Sequence, residues 1–68
     1  METTKYFYVL QYKHVAPAFS CFRNSMEELL EAVEHSCRQY EKTTRLTLYS
    51  TDGDFPPREL QTLWDNIV

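Results

Sequence analysis

The sequence predicts a small α+β protein, with a three-stranded antiparallel sheet in the order 2-1-3, a ββαβα topology and two helices packed on the sheet. Three observations predict this class. Residues 5–13 are rich in tyrosine, phenylalanine and valine, which favour strands. One capped amphipathic segment follows Ser25, and a second follows Pro57. A chain of 68 residues is enough for one domain, so residues 1–68 are expected to form a single compact unit.

The first strand, residues 5–13, has two different faces because side chains alternate across a strand. The even-numbered face carries Tyr6, Tyr8, Leu10 and Tyr12. The odd-numbered face also begins apolar, with Phe7 and Val9. Two apolar faces favour a central position in the sheet.

A second strand at residues 18–23 follows a turn that contains Pro17, and a hairpin is the shortest connection. Alternation gives this strand two faces, with Phe19 and Cys21 on one and Ala18, Ser20 and Phe22 on the other. A third strand at residues 44–50 returns beside the first strand after a right-handed helical crossover. The third strand is then an exposed edge of the sheet.

The first helix begins after Ser25. Ser25 and Glu28 have the spacing of a capping box, in which a hydroxyl and a carboxylate satisfy amide groups of the first turn. The apolar stripe of this helix comprises Met26, Leu29, Leu30, Val33, Cys37 and Tyr40. Acidic residues fill its first half and basic residues its end, as the helix dipole favours.

The second helix is predicted to begin at Pro57, because proline suits a first helical turn. Its apolar stripe comprises Leu60, Leu63, Trp64 and Ile67, at i, i+3, i+4 and i+7. A regular strand directly after Pro56 and Pro57 is disfavoured, because proline has no amide hydrogen to donate to a sheet.

No catalytic, cofactor or metal site is predicted. The single glycine, Gly53, is too few for a glycine-rich phosphate loop. The histidines and cysteines match no zinc spacing, and no serine or cysteine lies in a nucleophile motif. A cytosolic chain is expected, without a membrane span, since no signal peptide or run of about 20 apolar residues is found. Cys21 and Cys37 are then expected to be reduced and buried.

The first candidate contact surface is the acidic side of the first helix. It consists of Glu27, Glu28, Glu31 and Glu34. A rigid row of carboxylates can occupy a basic groove and steer the encounter with a protein partner that has a basic surface. The alternative is a solvated face matched to the helix dipole. The formal net charge is -3, so direct binding to nucleic acid gains nothing from counterion release and is not expected.

The second candidate contact surface is aromatic and consists of Tyr6, Tyr8, Tyr12 and Tyr49. Tyrosine is enriched where interfaces concentrate binding energy. The alternative is a core layer beneath a helix. We expect one helix to cover the face of Tyr6 and Tyr8, and the opposite face, with Phe7 and Tyr49, to be less covered.

In layout the chain resembles small phage-encoded inhibitor proteins, including many anti-CRISPR proteins. The shared features are short length, a strand-strand-helix-strand unit in residues 5–49, net acidity and the lack of a catalytic motif. The resemblance implies tight binding to a host nucleic-acid-handling complex, and it assigns no role to any single residue.

Two other hypotheses stay open. The sheet could bind nucleic acid, with Tyr6 and Tyr8 stacking on bases. Alternatively, the protein could form a homodimer through the edge of the third strand.

Overall fold

The computed structural model describes residues 4–53 and 56–67. Its elements, in chain order, are β1 Lys5–Tyr12, β2 Ala18–Phe19, α1 Met26–Ser36, a 3-10 helix Arg38–Thr43, β3 Thr44–Thr51 and β4 Arg58–Asp65. The strands form one antiparallel sheet in the order β2-β1-β3-β4. The α+β class and the neighbours 2-1-3 are confirmed. The prediction of three strands is wrong, because a fourth strand extends the sheet beyond β3.

The centre of the sheet is the pair β1 and β3. All eight residues of each strand are paired, from Lys5 opposite Thr51 to Tyr12 opposite Thr44. The central position predicted for the first strand is therefore confirmed. The third strand was predicted to be an edge, and this is wrong because β4 pairs along its other side.

The segment after the two prolines is a strand, not the predicted second helix. Residues 45–50 of β3 oppose all eight residues of β4, so Leu60 and Leu63 are extra residues at two register shifts. Each bulge interrupts the alternation of side chains. Gln61 and Trp64, three residues apart, therefore lie on one face, opposite leucines of β3. Because of the two bulges, residues on one face of this strand recur every three positions, at Arg58, Gln61 and Trp64, which is close to the spacing of a helix.

The second strand is much shorter than the predicted residues 18–23. Only Ala18 and Phe19 pair regularly with β1. At the next position the Ser20 amide donates to the Tyr8 carbonyl at 3.0 Å, while the Ser20 hydroxyl accepts from the Tyr8 amide at 2.8 Å. A side-chain oxygen thus replaces a backbone carbonyl, and regular pairing stops there.

Pairing with β1 resumes at a single bridge between Tyr6 and Arg23. Four steps of chain from Phe19 to Arg23 oppose three steps of β1, so this segment contains one extra residue. Phe19 and Phe22 consequently lie on the same face, where both rings contact Phe7. The predicted alternation in this strand is wrong for that reason.

The predicted helix start is confirmed at Ser25, whose hydroxyl accepts from the Glu28 amide at 3.2 Å. The Glu28 carboxylate accepts from the amide of Asn24 at 3.0 Å, one residue earlier than in a standard capping box. α1 ends at Ser36, and the 3-10 helix that follows carries Tyr40 away from the apolar stripe.

The core lies between α1 and one face of the sheet. Its buried residues are Leu10, Leu29, Val33, Cys37, Leu46, Leu48 and Trp64. Leu30 and Tyr40, which were predicted to belong to the apolar stripe, are exposed. Cys37 is buried as predicted, but Cys21 is exposed, because it lies in the irregular segment after β2. Both cysteines are free thiols.

Candidate contact surfaces

Four rings gather on the helix-free face of the sheet, and we call Phe7, Phe19, Phe22 and Tyr49 the aromatic patch. Phe7 and Tyr49 face each other across β1 and β3, with ring centroids 5.2 Å apart and planes 10° from parallel. Phe22 meets Phe7 edge-on at 5.6 Å, and Phe19 lies 6.5 Å from it. Phe7 is thus the centre of the patch.

The aromatic patch has a buried centre and an exposed rim. Phe7 is 7% exposed, whereas Phe19 and Phe22 are 67% and 63% exposed. A groove of about 210 Å³ is lined by Phe7, Phe19, Ser20, Phe22, Thr51 and Pro57. Pockets that hold small molecules usually measure about 300–1,000 Å³, so this groove better fits a single side chain.

The charges on the helix-free face cancel. The strand register places Lys5, Arg45, Glu59 and Asp65 on it. Arg45 and Asp65 form an ion pair at 3.1 Å, and Lys5 donates to the Asn24 side chain. Two cations and two carboxylates give the strand residues of this face, within residues 4–53 and 56–67, no formal net charge.

The opposite side of the molecule is the outer surface of α1, which we call the acidic side. Its four carboxylates, Glu27, Glu28, Glu31 and Glu34, are all exposed, as predicted. The eleven residues of α1 contain no lysine and no arginine. This helix therefore carries only negative formal charge.

Two of these four carboxylates have local partners. Glu28 accepts from the Asn24 amide, and Glu34 pairs with Arg38 at 2.8 Å. Arg38 also pairs with Glu41, and its two carboxylate partners raise its pKa. The guanidinium carbon of Arg38 lies 5.2 Å from the centroid of the Trp64 ring.

The carboxylates of Glu27 and Glu31 make no side-chain hydrogen bond or ion pair with the rest of residues 4–53 and 56–67. They are consequently the two carboxylates of the acidic side that are available to a partner.

The four predicted contact tyrosines do not form one surface. Tyr6, Tyr8 and Tyr12 are half-buried on the helix-covered face, where they pack against the core. Tyr49 lies on the other face, within the aromatic patch. The expectation that a helix covers Tyr6 and Tyr8 is confirmed, and with it the core-layer alternative for these residues.

Tyr8 and Cys37 meet beneath α1. Burial, together with the neighbouring Cys37 thiol, raises the pKa of Tyr8 to about 12. Burial also raises the pKa of the Cys37 thiol, against the opposing effect of its hydrogen bond to Tyr8. Both groups are therefore neutral at physiological pH, as a packed interior requires.

Sequence reasoning missed Phe19 and Phe22 as contact residues. A signal was available, since both are large apolar residues outside the two predicted helical stripes. Their common face depends on the extra residue between β2 and Arg23, which alternation alone does not indicate.

Within residues 4–53 and 56–67, no three histidine, cysteine or acidic side chains gather as a metal site. No helix in that part of the chain is both long enough and apolar enough to cross a membrane. Comparison of the chain with protein-family models, curated proteins and solved structures finds no match. Function is therefore inferred from the two contact surfaces.

Proposed function

We propose that this protein is a non-enzymatic binding protein that uses its acidic side to occupy a basic surface of a protein partner, and thereby inhibits or regulates it. One observation carries the proposal. α1 has four exposed carboxylates and no lysine or arginine, and two of the carboxylates lie beyond its first turn. Of these two, Glu34 pairs with Arg38, whereas Glu31 has no ion-pair partner within residues 4–53 and 56–67.

The helix dipole explains only part of this charge. It favours Glu27 and Glu28, which lie in the first turn, but its effect falls off within that turn. Glu31 lies four residues after Glu27 and three after Glu28, and each such like-charge pair costs a few tenths of a kcal/mol. A helix needed only for solubility could carry alternating charges at no such cost. A basic partner would offset the repulsion.

The partner that fits is a protein with a basic groove, such as one that normally holds nucleic-acid phosphates. Carboxylates on a rigid helix would compete with phosphates for the same cations, and opposite charges would speed the encounter. A phage-encoded inhibitor of a host defence or nucleic-acid-handling complex would act in this way.

Direct binding to nucleic acid is less well supported. Tyr6 and Tyr8, the residues that would stack on bases, pack beneath α1. The described strand residues of the helix-free face have no net charge to attract phosphates. We expect no gel shift with single-stranded RNA or DNA at low salt.

The experiment is capture of the partner from host lysate on the immobilised protein, followed by dissociation constants for the purified partner. Glu31→Lys is the test variant, and Glu59→Lys is the matched control, because Glu59 is an exposed carboxylate on the other face. Both variants change the net charge by the same amount. The double variant E27K/E31K completes the series.

We expect E27K/E31K to weaken binding about tenfold or more, equivalent to about 1.4 kcal/mol, and E59K to change it less than about twofold. Equal effects of E31K and E59K would mean that only overall charge matters. No effect of E27K/E31K would refute the role of the acidic side.

A further inference from the structure

We propose that the aromatic patch is the interface of a symmetric homodimer, in which the helix-free sheet faces of two copies pack against each other. This contact differs from the strand-edge pairing considered from the sequence, which β4 blocks by occupying the edge of β3. It also leaves both acidic sides pointing outward.

The patch has the anatomy of an interface core. The ring of Phe7 is nearly buried by its neighbours, while Phe19 and Phe22 expose about two thirds of their surface. A whole aromatic side chain buries about 150–250 Å², so each of these two rings has about two thirds of that area left to bury. The groove between Phe19, Phe22 and Pro57 offers space of about 210 Å³ for an apolar side chain of the second copy.

The available area matches what a weak dimer needs. The three strands of eight residues, β1, β3 and β4, are about 26 Å long and together about 14 Å wide. The segment of residues 18–23 borders only residues 6–10 of β1, about 16 Å of its length. The helix-free face therefore covers about 450 Å² in projection, or about 900 Å² for two copies, which is within the range of weak, transient interfaces. A dissociation constant on the order of 10–100 μM is expected.

The distribution of charge favours this face over the acidic side for contact between two copies of the chain. Each chain has a formal net charge of -3, so two acidic sides repel each other. On the helix-free face the strand residues that the structure describes have no net charge and carry both signs, on Lys5, Arg45, Glu59 and Asp65. A symmetric contact uses the same surface on both copies, so that surface must be complementary to itself and must not repel a second copy. Polar threonines border the aromatic rings, with Thr47 and Thr62 in contact.

Sedimentation velocity on the full chain, from about 1 μM to about 1 mM, tests the proposal. Wild-type protein should shift from monomer to dimer within that range. Phe22→Glu should weaken the dimer at least tenfold by placing a charge at the rim of the groove. Leu30→Glu is the matched control, because Leu30 is an apolar residue that is 40% exposed on α1. It should leave the dimer unchanged, as should E31K.

A second readout does not depend on any variant. On dilution of the wild-type protein, ring-proton resonances of Phe19, Phe22 and Tyr49 should shift, while those of Tyr40 should not. A strict monomer at about 1 mM would overturn the proposal and assign the patch to another partner. A dimer that is insensitive to F22E, or sensitive to L30E, would also overturn it. Neither result would bear on binding through the acidic side.

Discussion

Replacing Thr44 by valine should destabilise the fold by about 2 kcal/mol. Thr44 is fully buried, and its hydroxyl accepts from Trp64 Nε1 at 3.0 Å and donates to the Tyr40 carbonyl at 2.6 Å. Valine keeps the shape of the side chain but leaves the indole donor buried without an acceptor, which costs about 1–3 kcal/mol. The Tyr40 carbonyl keeps one hydrogen bond in the variant, because the Thr43 hydroxyl also donates to it.

A loss of this size would be a large part of total stability, because the core of a domain this small rarely supplies more than about 3–5 kcal/mol. Urea unfolding followed by the fluorescence of the single tryptophan is the assay. With a slope of about 1 kcal/mol per M, the midpoint should fall by about 2 M for T44V. Thr44→Ser keeps the hydroxyl and loses one methyl group, so it should cost only about 1 kcal/mol. If T44V were as stable as wild type, or T44S lost more than T44V, the hydrogen-bond argument would be refuted.

Two further outcomes follow from the thiols and the phenol. An aromatic disulfide reagent should modify one thiol per native chain quickly, since Cys21 is exposed while Cys37 is buried with a raised pKa. Fast reaction of two thiols in the wild-type protein, or of one thiol in the Cys21→Ser variant, would contradict the structure. Because folding raises the pKa of Tyr8 from 10.0 to about 12, the unfolded chain loses this proton first. The contribution of Tyr8 to stability is therefore complete below pH 10.0 and is lost as the pH rises to about 12. In a pH series, the urea midpoint of Tyr8→Phe should fall less steeply with rising pH over that range than the midpoint of wild type. An equally steep fall in both proteins would contradict the raised pKa of Tyr8.

The sequence was informative where periodicity and burial coincide. The alternation in residues 5–13 predicted a central strand, and the Ser25 cap predicted the start of α1. The last segment failed because its leucines and Trp64 fit a helical repeat. In the folded chain Leu60 and Leu63 are the extra residues of two bulges, and pairing with β3 decides the outcome. Single-sequence periodicity cannot distinguish these cases, because the extra residues are revealed only by the partner strand.

The candidate surfaces divide in the same way. Prediction of the acidic side required only the position of each residue around one helix, and all four predicted carboxylates of α1 are exposed as expected. The aromatic surface depends on which face each strand residue occupies. A single extra residue before Arg23 moved Phe22 beside Phe19, and α1 covered the face of Tyr6 and Tyr8. Only Tyr49 of the predicted tyrosines therefore lies on the helix-free face.

The most direct test of the proposed function is the salt dependence of the dissociation constant for the captured partner, measured with wild type and E27K/E31K between about 50 and about 300 mM salt. Wild-type binding should weaken steeply as salt rises, and the slope should be clearly smaller for the double variant. Identical slopes for the two proteins would show that Glu27 and Glu31 do not contact the partner, which contradicts the proposed role of the acidic side.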